Sequence, residues 1–255
     1  NKYLVDIIFK DEFLKKIKFK KEKLSTPIVI VSGGKGTRME PFTKILPKPL
    51  LPINDKSLLE NLIEKFHGHG FFNIYLTLGY KAEIIKSFLK THKIKVKTAK
   101  EKNPLGSIGS LSLLKKKLNE NFFVSNCDTL INTNYNDILK FHEMNKSLLT
   151  IVGSVKNFQV PYGVCKIDKK GYMLKFDEKP DYSNIVNTGL YVFNKKALKL
   201  LPNKKYFGMD ELIKKILNQK QKISVYPVHS KNWLDFGQWP EYHASKNVIQ
   251  EIENV

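Results

Sequence analysis

The chain has 255 residues, 42% hydrophobic and 11% aromatic, which is enough to bury a core and excludes global disorder. Its formal charge of +20 comes from 43 lysines and one arginine, and the lysines are scattered along the whole length. Nucleic-acid readers use clustered cations and favour arginine at bases, so this pattern argues against a nucleic-acid partner. No apolar run approaches the roughly 20 residues of a membrane span, and no membrane partner is expected.

The start of the chain differs from the remainder. Residues 1–26 are dense in lysine, contain no glycine and begin with Asn rather than Met. We interpret them as a linker or the tail of a preceding domain, with the main domain at 27–255; an amphipathic N-terminal helix of the same domain is the alternative. The two cysteines, Cys127 and Cys165, make no disulfide framework, which fits a reduced cytoplasmic setting.

From Pro27 onward the pattern alternates between strands and helices. IVIVS (28–32) is a continuous apolar, β-branched run typical of a buried strand, and 56–70 has apolar residues at helical spacing and ends in glycine. Further strands are predicted at 72–79, 93–98 and 121–128, with helices at 81–90 and 107–118. This order predicts an α/β fold with a Rossmann-like, doubly wound, mostly parallel sheet.

The second half is predicted to add a small antiparallel region. Two strands form a hairpin around 169–171, and a strand follows at 185–194. A helix at 209–219 and a strand at 223–228 complete the pattern, ahead of the segment NWLDFGQWPEY at 232–242.

A glycine-rich loop follows the first strand. Gly33, Gly34 and Gly36 let the backbone turn and approach a ligand closely, and exposed N–H groups in such a turn can cradle a phosphate. The dinucleotide fingerprint fails because Met39 stands where its third glycine should be, and the mononucleotide P-loop pattern fails as well. The lone arginine, Arg38, lies in this loop, where a guanidinium can grip two phosphate oxygens at once.

The segment 33–53 resembles the signature of the nucleotidyltransferases that act on sugar 1-phosphates. That signature runs Gly-Gly-x-Gly-Thr-Arg, then a proline, then Pro-Lys-Pro-Leu; here it occupies 33–38, Pro41 and 47–50. The resemblance implies the nucleotide-diphospho-sugar transferase fold, with the antiparallel region binding the sugar. It also implies transfer of a nucleotidyl group from an NTP to a sugar 1-phosphate, giving an NDP-sugar and pyrophosphate.

The resemblance implies a nucleotide site in the first half of the chain. The triphosphate would lie on the loop and its arginine (Ser32, Gly33, Gly34, Gly36, Thr37 and Arg38), and Lys48, held between prolines, would bridge phosphates. The stretch 100–111 resembles the base-binding segment through Glu101, Leu105 and Gly106. A carboxylate there can accept hydrogen bonds from guanine, which favours GTP; a solvated surface glutamate is the alternative.

Two aspartates are implied as ligands of a catalytic Mg²⁺. Asp128 follows a strand in SNCDTL, and Asp235 lies in the WLDFG segment that corresponds to the family's second metal motif. Two carboxylates from distant segments would share one hard cation with phosphate oxygens.

The sugar 1-phosphate site is implied by three further segments. FDEKP offers Glu178 for sugar hydroxyls and Lys179 for the sugar phosphate, and Gly163, Asn187 and Thr188 lie in segments that resemble the sugar pocket. The catalytic set implied by the resemblance is therefore Arg38, Lys48, Asp128 and Lys179.

A second resemblance concerns the N-terminal segment. LVDIIFKDEFL and the lysine-rich stretch after it look like the join between paired regulatory CBS domains and the transferase in glucosamine-1-phosphate guanylyltransferases of bacterial legionaminic acid synthesis. This implies GTP and glucosamine 1-phosphate as substrates. Mannose- or heptose-1-phosphate guanylyltransferase, glucose-1-phosphate thymidylyltransferase and a catalytically inactive, nucleotide-binding regulatory homologue remain as alternatives, and a homo-oligomer is also left open.

Overall fold

The computed structural model describes residues 23–118 and 120–253, with side chains described up to residue 248. The prediction of a linker or preceding CBS domain falls almost entirely on residues outside these ranges. Leu24, near the start of the described chain, donates its N–H to the Gly70 carbonyl at 2.9 Å and forms an isolated bridge with Phe71. The chain therefore contacts the fold before the predicted boundary at Pro27.

The described residues form five α-helices and thirteen strands, many of them short. The helices are α1 (Leu58–Gly68), α2 (Ala82–Thr91), α3 (Tyr135–Asn145), α4 (Met209–Asn218) and α5 (Trp239–Glu253). The strands are β1 (Ile28–Ser32), β2 (Pro52–Ile53), β3 (Lys56–Ser57), β4 (Ile74–Leu78), β5 (Lys97–Lys100), β6 (Asn121–Asn126), β7 (Thr129–Ile131), β8 (Leu149–Gln159), β9 (Val164–Ile167), β10 (Met173–Asp177), β11 (Asp181–Asn194), β12 (Ile223–Val228) and β13 (Trp233–Asp235).

A seven-stranded sheet forms the centre, in the order β12-β8-β11-β6-β1-β4-β5. β1 pairs in parallel with both β4 and β6, β5 extends this set in parallel, and β12 is parallel to β8. β11 is the exception, because it runs antiparallel to both of its neighbours. The predicted α/β fold with a mostly parallel central sheet is confirmed.

Helices cover both faces of this sheet. Ile28 and Ile30 pack into one apolar cluster with residues of α1 and α2, while Val29 packs into a second cluster with residues of α4. Successive side chains of a strand point to opposite faces, so the two clusters are the two layers of core. This explains why β1 reads as a continuous apolar run rather than an alternating one.

The first helix shows how local sequence signals set the element ends. Ser57 accepts the Glu60 N–H at 3.2 Å, and the Glu60 carboxylate accepts the Ser57 N–H at 2.7 Å, which is a capping box. The helix ends at Gly68, close to the predicted end. Among the described helices, none is both long and apolar enough to cross a bilayer.

The predicted helix at 107–118 is wrong: the chain forms a 3₁₀ helix at Gly109–Leu114. Serine and glycine favour helices weakly, and here tertiary bonds replace helical ones. The Ser112 hydroxyl donates to the Gly109 carbonyl at 2.7 Å and accepts the Lys204 N–H at 3.2 Å. The conformation of this stretch is thus set by contact with a segment that is distant in the sequence.

The antiparallel region projects from the sheet. β8 and β11 pair from Phe193↔Leu149 out to Asp181↔Gln159, with a register shift between Asn187 and Tyr191. Beyond that shift most residues of both strands are exposed, and β9 and β10 form the predicted hairpin. The β8–β11 ribbon therefore extends beyond the C-terminal end of β6, and the β9–β10 hairpin lies between its two strands in the sequence.

We expect the stability of the fold to depend on the neutral state of His142. This residue of α3 is 1% exposed, its Nδ1 lies 2.8 Å from the Thr150 hydroxyl, and burial lowers its pKa to about 4. The unfolded chain binds this proton near pH 6.5, so stability present above that pH is lost as pH falls toward 4. The free energy of unfolding, from urea titrations, should fall by roughly 2 kcal/mol over this window through this group.

The matched variant is His142→Gln, which keeps a neutral hydrogen-bonding side chain at the position. Its free energy of unfolding should decline less steeply between pH 6.5 and 4 than that of the wild type. Identical pH profiles for the two proteins would contradict the role assigned to His142.

Candidate functional site

The glycine loop leaves β1 and turns over the C-terminal end of the sheet. Gly36 has a φ of 69° and precedes the short 3₁₀ turn Thr37–Met39. Its carbonyl accepts a hydrogen bond from the Thr43 hydroxyl at 2.9 Å. Met39 is fully buried, so the turn is fixed to the core, while Thr37 and Arg38 remain exposed. The sequence thus holds the guanidinium at the open side of a rigid loop.

The loop forms one wall of a cavity of about 410 Å³ at this end of the sheet. The cavity brings together most of the predicted nucleotide and catalytic residues, namely Gly33, Gly34, Gly36, Thr37, Arg38, Lys48, Glu101, Leu105, Gly106 and Asp128. Ser32 is placed differently: its side chain is 3% exposed at the end of β1 and does not line the cavity.

Lys48 forms the central polar contact of the cavity. Its side chain is 7% exposed, and its ammonium donates to Asp128 Oδ2 at 2.5 Å and to the Gly237 carbonyl at 3.0 Å. The prolines on either side, Pro47 and Pro49, restrict the backbone that carries it. One buried cation therefore connects three segments that are far apart in the sequence.

Backbone pairing places Asp235 beside Asp128. β13 pairs antiparallel with β7, which begins one residue after Asp128, and the Phe236 N–H donates to the Asp128 carbonyl at 2.9 Å. Burial raises the pKa of Asp235, the Asp128 charge adds to this rise, and the hydrogen bond from the Gly237 N–H opposes it. The two carboxylates are close enough to repel each other.

This pair fits a divalent cation. Among the described residues, Asp128 Oδ1 and Asp235 Oδ2 accept no hydrogen bond, so each carboxylate keeps a hard oxygen for a ligand. Mg²⁺ is bound in proteins by one or two carboxylates together with phosphate oxygens and water. The described chain offers no group of three His, Cys, Asp or Glu side chains, so the remaining ligands would come from substrate and water.

Arg38 lies on the same side as this pair. A methyl group added at Gly237 would lie 2.9 Å from Asp235 Oδ1 and 3.6 Å from a guanidinium nitrogen of Arg38. Asp235 and Arg38 therefore both lie close to Gly237.

Glu101 lines the cavity beside Gly33, at the start of the glycine loop. It is 6% exposed, its Oε2 accepts the Leu105 N–H at 3.0 Å, and its Oε1 is buried without a hydrogen-bond partner in the described chain. Burial raises the pKa of this carboxyl. An unsatisfied buried acceptor is costly, so this oxygen is suited to receive a donor from a ligand.

The predicted sugar-site residues lie on the antiparallel extension, outside the lining of this cavity. Gly163 is in contact with Glu178, since a methyl group there would lie 3.1 Å from the Glu178 carboxylate. Lys179 is exposed and adopts a φ of 43°. Thr188 is 4% exposed, and its hydroxyl donates to the Val152 carbonyl at 2.8 Å.

Asn187 lies where the extension joins the central sheet, at the register shift in β11. Its amide donates to the Tyr191 hydroxyl at 2.7 Å, and its carbonyl oxygen accepts the Gly189 N–H at 3.0 Å. Burial raises the pKa of Tyr191 to about 12, and the Asp128 charge contributes to that rise. Asn187 is therefore held by Tyr191 and by Gly189, which packs against Asn126, two residues before Asp128.

Sequence reasoning missed three polar or aromatic residues of the cavity, namely Ser107, Asn126 and Tyr206. Asn126, at the end of β6, lines it and packs against Gly189. Tyr206 lines it from a loop before α4, and its side chain is 69% exposed. No motif marks Tyr206, because its loop reaches the cavity only through tertiary contacts. The buried thiol of Cys127 also borders the cavity; burial raises its pKa to about 12, which keeps it protonated.

Comparison with known proteins places the chain in a family. The model of the nucleotidyl transferase family matches residues 28–251. The chain belongs to this family. The predicted membership is thereby confirmed, and the match covers the loop, the cavity and the antiparallel extension.

Curated relatives in the family differ in base and in sugar. The chain is 29% identical to the UTP–glucose-1-phosphate uridylyltransferase of Synechocystis sp., over 89% of this chain and 64% of the relative. It is 30% identical to the mannose-1-phosphate guanylyltransferase catalytic subunit beta of Danio rerio, over 82% and 61%. It is 28% identical to the D-glycero-alpha-D-manno-heptose 1-phosphate guanylyltransferase of Campylobacter jejuni, over 84% and 96%. The chain thus spans about three fifths of the length of the first two.

Solved structures of the family share the fold. HddC from Yersinia pseudotuberculosis matches with a TM-score of 0.68 and 28% identity, over 88% of this chain and 99% of that chain. A structure of HddC complexed with GMP-PN matches with the same TM-score. A likeness in fold extends to a glucose-1-phosphate thymidylyltransferase from Bacillus anthracis, at 18% identity and a TM-score of 0.68.

The close approach of Gly33 to Glu101 yields a prediction for two neighbouring glycines. A Cβ at Gly33 would lie 2.3 Å from Glu101 Oε1, whereas a Cβ at Gly34 would have nothing within 4 Å. Gly33→Ala must displace a buried, hydrogen-bonded carboxylate, so we expect its free energy of unfolding to fall by about 1 kcal/mol or more. Gly34→Ala should stay within about 0.5 kcal/mol of the wild type in the same urea titration. Equal stabilities of the two variants would count against the contact.

Proposed function

We propose that the protein transfers a nucleotidyl group from an NTP to a sugar 1-phosphate, releasing pyrophosphate. The observation that carries this proposal is the contact of Lys48 with Asp128 and Gly237 in a cavity that also contains Arg38 and the glycine loop. The arrangement offers cations and backbone N–H groups for a triphosphate beside two carboxylates suited to Mg²⁺. Family membership supports the same reaction class.

The chemistry needs positioning and charge rather than a covalent enzyme intermediate. A phosphate oxygen of the sugar 1-phosphate attacks the α-phosphorus of the NTP in line, and the bond to pyrophosphate breaks. Arg38 grips the triphosphate, and Lys48 bridges phosphates from its position against Asp128. Asp128 and Asp235 would hold Mg²⁺, which when bound supplies positive charge to the phosphate oxygens.

The sugar 1-phosphate is proposed to bind between the cavity and the extension. Lys179 would align the attacking phosphate, and Glu178, near Gly163, would accept sugar hydroxyls. Asn187 is held by Tyr191 near Asp128, where a sugar phosphate would meet the nucleotide. Thr188 would contribute through its backbone, because its hydroxyl is already bonded to Val152.

We favour GTP as the nucleotide. Guanine presents two neighbouring donors, N1–H and the 2-amino group, and the Glu101 carboxylate is an acceptor whose Oε1 is otherwise unsatisfied. The guanylyltransferases among the relatives, and the HddC complex with GMP-PN, support this choice. The uridylyltransferase among the relatives keeps UTP as the alternative.

Glucosamine 1-phosphate remains our proposed acceptor, on the resemblance of the N-terminal segment to CBS-linked guanylyltransferases. Mannose or heptose 1-phosphate is the alternative that the curated relatives favour. We expect the enzyme to act in the cytoplasm, where its two free cysteines would stay reduced.

The deciding experiment measures pyrophosphate release for each common NTP against each candidate sugar 1-phosphate, with and without Mg²⁺. We expect turnover with GTP and one hexosamine, mannose or heptose 1-phosphate, and none without the metal. Absence of pyrophosphate with every pair would overturn the proposal and favour a nucleotide-binding protein without catalytic activity.

Arg38→Lys should retain the fold but lose most turnover. The loop that carries Arg38 is exposed, so the change costs little stability, while a point charge cannot grip two phosphate oxygens. We expect kcat/KM to fall by about a hundredfold or more in the pyrophosphate assay. Lys35→Met, in the same loop but outside the cavity lining, serves as the control and should retain activity. Near-normal turnover of Arg38→Lys would refute the role of the guanidinium.

Glu101→Gln should change the choice of base. The amide keeps one oxygen as an acceptor but presents an NH₂ donor in place of the second oxygen, facing the donors of guanine. We therefore expect kcat/KM with GTP to fall at least about tenfold. The amide pairs well with the N3–H and O4 of uracil, so the ratio of UTP to GTP turnover should rise. Glu143→Gln, on an exposed side chain of α3, is the control. An unchanged GTP preference would remove Glu101 from base recognition.

A further inference from the structure

A short segment before α4 crosses the turn that follows Glu101. The Phe207 N–H donates to the Leu105 carbonyl at 2.9 Å, and the Phe207 carbonyl accepts the N–H groups of Ile108 and Gly109, each at 3.2 Å. These three bonds fix Phe207 against the turn at 105–109, and the first part of that turn lines the cavity.

Two positions of that turn are glycine where the backbone of 205–207 approaches closely. Gly106 has a φ of 78°, and a Cβ there would lie 2.7 Å from the Phe207 carbonyl oxygen. A Cβ at Gly109 would lie 2.6 Å from the Lys205 carbonyl oxygen. Real Cβ atoms do not approach backbone this closely, so these positions admit the crossing segment only as glycine.

The segment carries one aromatic ring inward and one outward. Phe207 is 4% exposed in the core beneath the loop, with the Lys215 ammonium 4.6 Å from its ring centroid. Tyr206 is 69% exposed but lines the cavity beside 104–107. The burial of Phe207 and its backbone hydrogen bonds hold Tyr206 beside the cavity. Packing within the protein does not account for a large aromatic ring that is mostly exposed to solvent.

We propose that Tyr206 stacks on the base of the bound nucleotide and contributes to nucleotide affinity. Glu101 and Tyr206 line the same cavity, so a base whose edge meets Glu101 would leave a face for the Tyr206 ring. Stacking of a base on an aromatic ring is favourable and works with any base, but a purine offers the larger face. This inference rests on the proposed function, since it needs a nucleoside triphosphate in the cavity.

The test compares Tyr206→Phe, Tyr206→Leu and Tyr206→Ala by calorimetric titration with GTP and with inorganic tripolyphosphate, both with Mg²⁺. The phenylalanine variant should bind GTP within about twofold of the wild type. The leucine and alanine variants should bind it roughly five- to a hundredfold more weakly. All four proteins should bind tripolyphosphate equally, because that probe has no base.

The kinetic assay should show the loss in KM for GTP, with kcat and the KM for the sugar 1-phosphate nearly unchanged. Tyr172→Ala, on the hairpin and 70% exposed, is the matched control and should bind GTP as the wild type does. Equal GTP affinity of Tyr206→Ala and the wild type would overturn the inference. If the variants bind GTP and tripolyphosphate more weakly to the same degree, the inference is also overturned, because Tyr206 would then maintain the shape of the cavity and would not contact the base.

The two proposals fail in different ways. A wild-type protein that releases no pyrophosphate with any substrate pair contradicts the transferase activity, yet its GTP titration still tests the stacking contact. An active wild type whose Tyr206→Ala variant keeps its KM for GTP contradicts only the contact.

Discussion

The structure depends on one buried ammonium. Lys48 is the shared partner of Asp128 and of the backbone at Gly237, and Asp235 is brought beside them by the pairing of two short strands. Without that positive charge, two carboxylates would face each other at the edge of a low-dielectric core. The contact of Lys48 with Asp128 and Gly237 stabilises the cavity. It also fixes the position from which the Lys48 ammonium would meet phosphate oxygens, so one interaction serves both folding and the proposed preorganisation of the site.

Much of the fold could be predicted from local patterns. The strand at 28–32 reads directly from five consecutive apolar or small residues, and the helix after Ser57 from its capping signals and apolar spacing. The loop at 33–38 is predicted to bind phosphate because glycines occur there with the lone arginine, and the structure places it at the wall of the cavity. Position in the order of elements then indicated which aspartates to consider.

The remainder could not be predicted because it is decided by contacts between distant segments. The 3₁₀ conformation of 109–114 depends on hydrogen bonds to Lys204 and Phe207, which are distant in the sequence, so no local window contains that information. For the same reason Tyr206 was missed. Thr188 lies in a motif expected to bind sugar, yet its hydroxyl is turned inward to the Val152 carbonyl, a choice that only the pairing of neighbouring strands determines.

The long strand β11 has a mechanical consequence. Its inner half is central in the sheet, its outer half belongs to the extension, and the change of register falls between Asn187 and Tyr191, next to the acidic end of the cavity. Because β8 stays paired with it on both sides of that shift, we expect the two outer strands to move together relative to the sheet. A displacement at the tip of the ribbon would then reach, through continuous backbone, the region of Asn187 and Tyr191.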